Sequence, residues 1–149
     1  MDRRLVTMSS ERDMAVREPC PGEIGPSDEL ISDVFARGCS SRAALEDVGS
    51  KWGMLAMLAL GEGSYRFNAL RRRVEGVSEK MLSRTLQVLE RDGLVIREVV
   101  STIPARVEYS LTPLGGRVAG QLRALADLFE ASAAEISRAR TAYDADRGP

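Results

Sequence analysis

At Gly93 the hydrophobic period of this 149-residue chain changes from 3.6 to 2, and that change dictates the fold. Before it, apolar residues recur at helical spacing in short segments separated by glycine. Phe67, Leu70 and Val74 fall at i, i+3 and i+7. Leu82, Leu86 and Leu89 mark one side of 78–91, where Ser78 is a good N-cap and Glu79 suits the first turn. After it, Val95, Arg97 and Val99 alternate with Leu94, Ile96, Glu98 and Val100. Past a tip at 101–105, Val107, Tyr109 and Leu111 alternate with Arg106, Glu108 and Ser110, which predicts a β-hairpin with a long tip. Thr112 and Pro113 then supply the N-cap and first residue of a final helix. Leu114, Val118, Leu122, Leu125, Phe129 and Ile136 give it a heptad-like stripe over 113–138. Gly115 and Gly116 cost roughly 1 kcal/mol each in propensity, so its first turn is expected to fray.

Upstream, residues 1–27 carry the breakers Pro19, Pro21, Gly22, Gly25 and Pro26 and no sustained period, which predicts an unstructured extension. The domain is expected over 28–140, followed by an unstructured tail at 141–149. Leu30, Ile31, Val34 and Phe35 suggest a short first helix that Gly38 interrupts. A second covers 41–48, with Ala44, Leu45 and Val48 facing inward. Ser50 caps a third over 51–60, which is apolar on nearly every side and therefore reads as the central core helix. Trp52, Met54, Met57 and, further on, Met81 read as core residues; 64–66 reads as short and extended. The fold class is mainly α with a β-hairpin (α+β). Two helices joined by a glycine-containing turn and followed by a two-stranded wing describe a winged helix-turn-helix, dimerising through terminal helices.

Charge separates along the chain. The net charge is −1, but residues 66–106 carry nine Lys+Arg against five acids, while 1–48 carry six Arg against ten acids. A basic block inside a near-neutral chain points to an anionic partner for that block alone. The absence of histidine removes Ser-His-Asp and Cys-His catalysis and histidine metal ligands. Cys20 and Cys39 form no C-x-x-C pair, so no closed zinc site, metal or cofactor is expected. Two cysteines are too few for a disulfide scaffold, which fits a reducing cytoplasm. The longest apolar stretch, 52–60, is too short to span a bilayer, and no secretory leader is expected. No nucleophile, glycine loop or ligand set accompanies the acidic residues, so an enzyme is the least supported reading.

In this order of elements, 78–91 takes the place of a recognition helix. Lys80, Ser83, Arg84 and Gln87 supply donors and short polar groups of the kind that read base edges in a major groove. Arg71, Arg72 and Arg73 are a solvated helix face or, ahead of such a helix, phosphate contacts. Arg106 either pairs with Glu98 or Glu108 across the hairpin or enters a narrow minor groove.

The stretches Gly49-Ser50-Lys51-Trp52 after Cys39, Tyr65-Arg66-Phe67-Asn68-Ala69-Leu70-Arg71-Arg72, Val77-Ser78-Glu79-Lys80-Met81-Leu82-Ser83-Arg84, Leu89-Glu90-Arg91-Asp92-Gly93-Leu94-Val95 and Ile103-Pro104-Ala105-Arg106-Val107-Glu108-Tyr109-Ser110-Leu111-Thr112 together resemble the HxlR-type, MarR-related winged-helix regulators. The resemblance covers about residues 39–129. It implies a sequence-specific regulator that binds a pseudo-palindromic site on double-stranded DNA as a homodimer. The implied DNA-contacting set is Arg66, Asn68, Arg71, Arg72, Ser78, Lys80, Ser83, Arg84, Gln87 and Arg106. Leu114, Val118, Leu122, Leu125 and Phe129 would carry dimerisation. The family also includes sensors of thiol-reactive compounds, so Cys39, beside Arg37 and Arg42, is the candidate redox residue; a small-molecule or electrophile effector follows. Here Ser40 stands after that cysteine where the family usually has proline, and Leu128 stands where many members have tryptophan. The competing reading is a winged-helix protein-interaction module without DNA binding, which would expose apolar anchors on 78–91 in place of cations.

Overall fold

The computed structural model describes residues 33–149, and the chain divides after Ala43 into two units. The expectations for 1–27 and for the start of a helix at 28–32 lie outside the described residues. In the first unit, Val34 and Phe35 sit in turns and not in a helix. The Asp33 carboxylate accepts from the Phe35 N–H at 3.0 Å, which gives the backbone a local alternative to helical bonding. Arg42 closes the turn by donating to the Phe35 carbonyl at 3.0 Å.

The second unit contains most of α1 (Ser40–Gly49) and then α2 (Lys51–Glu62), β1 (Tyr65–Arg66), α3 (Phe67–Arg73), α4 (Glu79–Arg91), β2 (Val95–Thr102), β3 (Ala105–Leu111), α5 (Pro113–Ala131) and α6 (Ala133–Arg147). Three caps form as their residue types predict. Ser50 accepts from Gly53 N–H at 3.1 Å, Ser78 from Met81 N–H at 3.1 Å and Thr112 from Gly115 N–H at 2.9 Å. The central helix is α2. It buries Ala56, Met57, Ala59 and Leu60 and touches α3, α4, α5 and β3. Leu70, Val74, Val77, Leu82, Leu86, Leu89, Leu94, Val95 and Tyr109 complete the core around it. Trp52 packs half-buried against this core, with the Lys51 ammonium 4.5 Å from its ring centre.

The fold is mainly helical with one small antiparallel sheet. Within the extended residues at 64–66, Tyr65 and Arg66 form a third strand, giving the order β1-β3-β2. Tyr65 pairs with Tyr109 and Arg66 with Glu108, so β3 is the middle strand. The hairpin tip is shorter than expected. Thr102 pairs with Ala105, leaving Ile103 and Pro104 as the turn, and a bulge between Val99 and Ser101 absorbs the change of register.

Other expectations need correction. Leu45 is exposed, because Val48 and the half-buried Ala44, four residues apart, already define the inner line of α1. Met81 is also exposed; it lies one position off the Leu82, Leu86, Leu89 stripe. The single final helix is two. At Ser132 the backbone leaves helical geometry, and its N–H is shared between the carbonyls of Leu128 and Phe129. Ile136 therefore belongs to α6. The tail expected to lose structure at 141 stays helical to Arg147. Alanine-rich composition favours it, Thr141 donates to the Ser137 carbonyl at 3.0 Å, and the Arg147 guanidinium stands 4.7 Å from the Tyr143 ring centre.

The start of α5 does not fray. Gly115 is buried, and a Cβ built there would lie 2.0 Å from the Leu94 carbonyl oxygen. Glycine is what lets the helix meet the base of the hairpin. Thr112 fixes the joint: its N–H donates to Leu94 O at 3.0 Å and its hydroxyl to Gly93 O at 2.6 Å. Gly93 itself has φ +74°, in the left-handed region that ends α4.

Candidate nucleic-acid interface

Of the ten candidate DNA contacts, four converge beside the tip end of β3. Arg66 at the end of β1, Asn68 and Arg72 on α3, and Arg106 on β3 line one cleft of about 490 Å³, floored by Phe67, Ala69, Ala105 and Val107. Pairing of Arg66 with Glu108 is what brings a residue forty positions away beside Arg106. All three arginines are exposed. Arg106 forms no ion pair with Glu98, Glu108 or any other described residue. A cleft with three guanidinium forks and an amide suits an anion with several oxygens, such as a phosphodiester.

A second cleft of about 540 Å³ continues from Asn68 and Arg72 through Arg71 and Gly76 to Ser78. It therefore runs from α3 to the N-terminus of α4, where free N–H groups and the helix dipole favour negative charge. Arg71 is partly engaged: its Nε donates to the Val77 carbonyl at 3.4 Å, bracing the turn before α4. The Ser78 hydroxyl is the cap acceptor for Met81 and keeps its own hydrogen to donate. Along α4, Lys80, Arg84 and Gln87 are exposed at i, i+4 and i+7 and form one outward line, with Ser83 half-buried beside it. Met81 adds an exposed thioether that sequence reasoning placed in the core. Its offset from the leucine stripe was the available signal.

Arg73 belongs to a different arrangement. It pairs with Glu62, donating to Oε2 through Nε at 2.9 Å and to Oε1 through Nη2, while the Tyr65 hydroxyl donates to Oε2 at 2.8 Å. The Arg73 and Tyr65 bonds push Glu62 down to about 2. The ends of α2 and α3 are thus tied to β1, and Arg73 is spent on that tie.

Asp92 is the C-cap of α4, and its Oδ2 is buried without a hydrogen bond among the described residues. Burial, then the carboxyl of Asp47, raise its pKa above the usual carboxylate range, against a weaker pull from Arg91. A folded-state value above the unfolded one stabilises the fold at low pH, and that contribution is lost as pH rises through the folded value. Asp92→Asn is therefore expected to melt above the wild type at neutral pH, with the difference shrinking as pH falls toward 4. Equal melting temperatures across that range would contradict this.

The stripe assigned to dimerisation divides in the structure. Val118 and Leu122 pack against the chain's own core. Leu114, Leu125 and Phe129 are exposed, and Leu128 joins them at 61 %. Between α2 and α5 lies a groove of about 570 Å³ whose apolar walls include Met54, Leu55, Leu58, Leu122, Leu125 and Phe129. Cys39 is only 3 % exposed. Among the described residues no three metal-ligating side chains come together, and no helix is long and apolar enough to cross a membrane.

Comparison with known proteins agrees with this geometry. The profile of the HxlR-like helix-turn-helix family matches residues 47–137. The HTH-type transcriptional regulator YtfH of Escherichia coli (strain K12) is 48 % identical over 108 residues, 72 % of this chain and 86 % of that protein. The solved structure of the transcriptional regulator ytfH from Salmonella typhimurium superposes with a TM-score of 0.68 at 46 % identity, covering 73 % of this chain and 97 % of that one. The redox regulator HypR in its reduced form gives a TM-score of 0.61 at 31 % identity, over 66 % of this chain and 97 % of its own. With the helix pair, the wing and these relatives in agreement, the chain belongs to the HxlR-like helix-turn-helix family of transcriptional regulators.

Proposed function

We propose that this regulator binds a pseudo-palindromic site on duplex DNA as a homodimer, with α4 in the major groove and β1, α3 and the hairpin on the backbone. The observation that carries the reading is the pair of adjoining clefts that share Asn68 and Arg72 and run from Ser78, past Arg71 and Glu75, to Arg66 and Arg106, with Lys80 and Arg84 exposed on α4. An interaction module would present apolar anchors there, and Met81 is the one large apolar side chain exposed on α4. Lys80, Arg84 and Gln87 are the base-reading candidates, since Arg and Lys match guanine and Gln matches adenine. The other residues position the duplex.

The test is to select bound sites from genomic DNA and measure affinity against salt for wild type and Arg84→Ala. Wild-type affinity is expected to fall steeply with salt. Arg84→Ala is expected to lose about 1–3 kcal/mol on the selected site and much less on unrelated sequence. A uniform loss on all sequences would make Arg84 a phosphate contact, and absence of duplex binding by the wild type would overturn the reading.

The exposed Leu125, Leu128 and Phe129 on α5 support a second copy as the dimer partner. Burying three such side chains on each protomer contributes about 1.5–3 kcal/mol apiece, enough to offset the cost of association. Leu128→Lys with Phe129→Lys is expected to sediment as a monomer at micromolar concentration, where the wild type sediments as a dimer. A dimeric double variant would move the interface elsewhere. A thiol response through Cys39, in keeping with the name redox regulator that HypR carries, would require the buried thiol to open first.

A further inference from the structure

The most exposed large apolar side chain among the described residues is Ile103, at 92 %. It stands at the hairpin tip beside Pro104, between the paired residues Thr102 and Ala105. Hairpin tips are ordinarily built from Gly, Asn and Asp, which solvate well and accept the turn. An isoleucine there gains nothing from water and touches no core. Its β-branch leaves few rotamers and the following proline fixes its own φ, so little freedom is lost when the tip is buried against something else.

The arginine cleft lies close to that tip. Ala105, two residues from Ile103, lines the same cleft as Arg66, Arg72 and Arg106. Two residues of chain span at most about 7 Å, and less through a turn. A phosphate held by those arginines therefore brings the edge of a groove within reach of the tip.

We infer that Ile103 is a wedge that enters the minor groove, separates a base step and bends the duplex away from the protein, with Arg106 holding the adjacent backbone. The inference rests on the DNA-binding reading above and adds a second source of sequence preference to it. Apolar side chains, isoleucine and proline among them, perform this role in proteins that kink DNA by roughly 20–90°. The preference it creates is for a step that unstacks readily, TA or CA/TG, at a position α4 never touches.

The experiment uses the full chain and the duplex that wild type selects, labelled at both ends for energy transfer, with 2-aminopurine at the base step facing the tip. Ile103 packs against nothing in the core, so Ile103→Ala is expected to fold as the wild type does. Wild type is expected to bend the duplex and raise the 2-aminopurine emission. Ile103→Ala is expected to lose most of the bend and the emission rise, and roughly tenfold of the preference for TA over AA at that step. Ile103→Leu, still apolar and of similar volume, is expected to keep both. Ile103→Ala bending the duplex as the wild type does, while both bind it, would overturn the wedge and leave DNA binding intact. A wild type that binds no duplex would overturn both. Retained DNA bending with loss of a protein partner in Ile103→Ala would assign the tip to that partner and overturn the wedge.

Discussion

Gly115→Ala is expected to destabilise the protein by at least about 3 kcal/mol, and Gly116→Ala, one residue on, to stabilise it by roughly 0.5–1 kcal/mol. Helix propensity alone favours alanine at both positions. The surroundings decide the sign. A Cβ at position 115 would meet the Leu94 carbonyl oxygen at 2.0 Å and the Leu111 side chain at 3.3 Å, whereas nothing lies within 4 Å of one at 116. Backbone at both sides of the clash leaves no flexible side chain to yield. For a domain of this size the loss corresponds to a fall in Tm on the order of 10 °C. Thermal denaturation of the two single variants, side by side, checks it. A Gly115→Ala variant as stable as wild type would show that α5 can stand off from the hairpin.

Removing Arg66, Arg72 and Arg106 together, each to alanine, is expected to lower DNA affinity by a factor on the order of a thousand and to flatten its salt dependence. Each phosphate that no longer meets a guanidinium takes roughly 0.9 off the slope of log K against log salt, so the six arginines of a dimer account for about 5. Folding should be nearly unaffected, because the three side chains are exposed and make no ion pair with a described residue. Arg73→Ala is the counter-test on the same helix. It breaks the tie to Glu62 and should leave the salt slope as it was. An unchanged slope in the triple variant would mean that the cleft holds no phosphate.

Much of the fold was legible because the period is a direct image of burial. Leu82, Leu86 and Leu89 marked the inner face of α4, and Val107, Tyr109 and Leu111 that of β3. The caps at Ser50, Ser78 and Thr112 were legible for a similar reason, since each is a local bond three residues long. What could not be read from the sequence depends on the rest of the chain. Gly115 reads as a weak helix former until the Leu94 carbonyl is placed beside it. Arg71, Arg72 and Arg73 read as one cationic run, yet Arg72 lines two clefts, Arg71 braces a turn and Arg73 answers Glu62 eleven residues earlier. Val118 and Leu122 lie on the stripe read as a dimer seam and also pack, half-buried, against the chain's own core, since one spacing serves both. The four residues of the arginine cleft were named individually in the sequence. That they share one cleft follows from the β1–β3 pairing, which a two-residue strand does not announce.

The Thr112 joint makes a mechanical coupling of α5 and the hairpin. One threonine bonds the carbonyls of Gly93 and Leu94 at the root of β2 and caps the helix in the same stroke. In a dimer built on α5, that helix is the axle and the hairpin a spoke keyed to it. Rolling the two axles against each other must swing both spokes through the same angle, so subunit spacing and the pitch of the hairpin against the duplex are one degree of freedom. An operator that changes the distance between its half-sites would also have to change where the hairpin tips land.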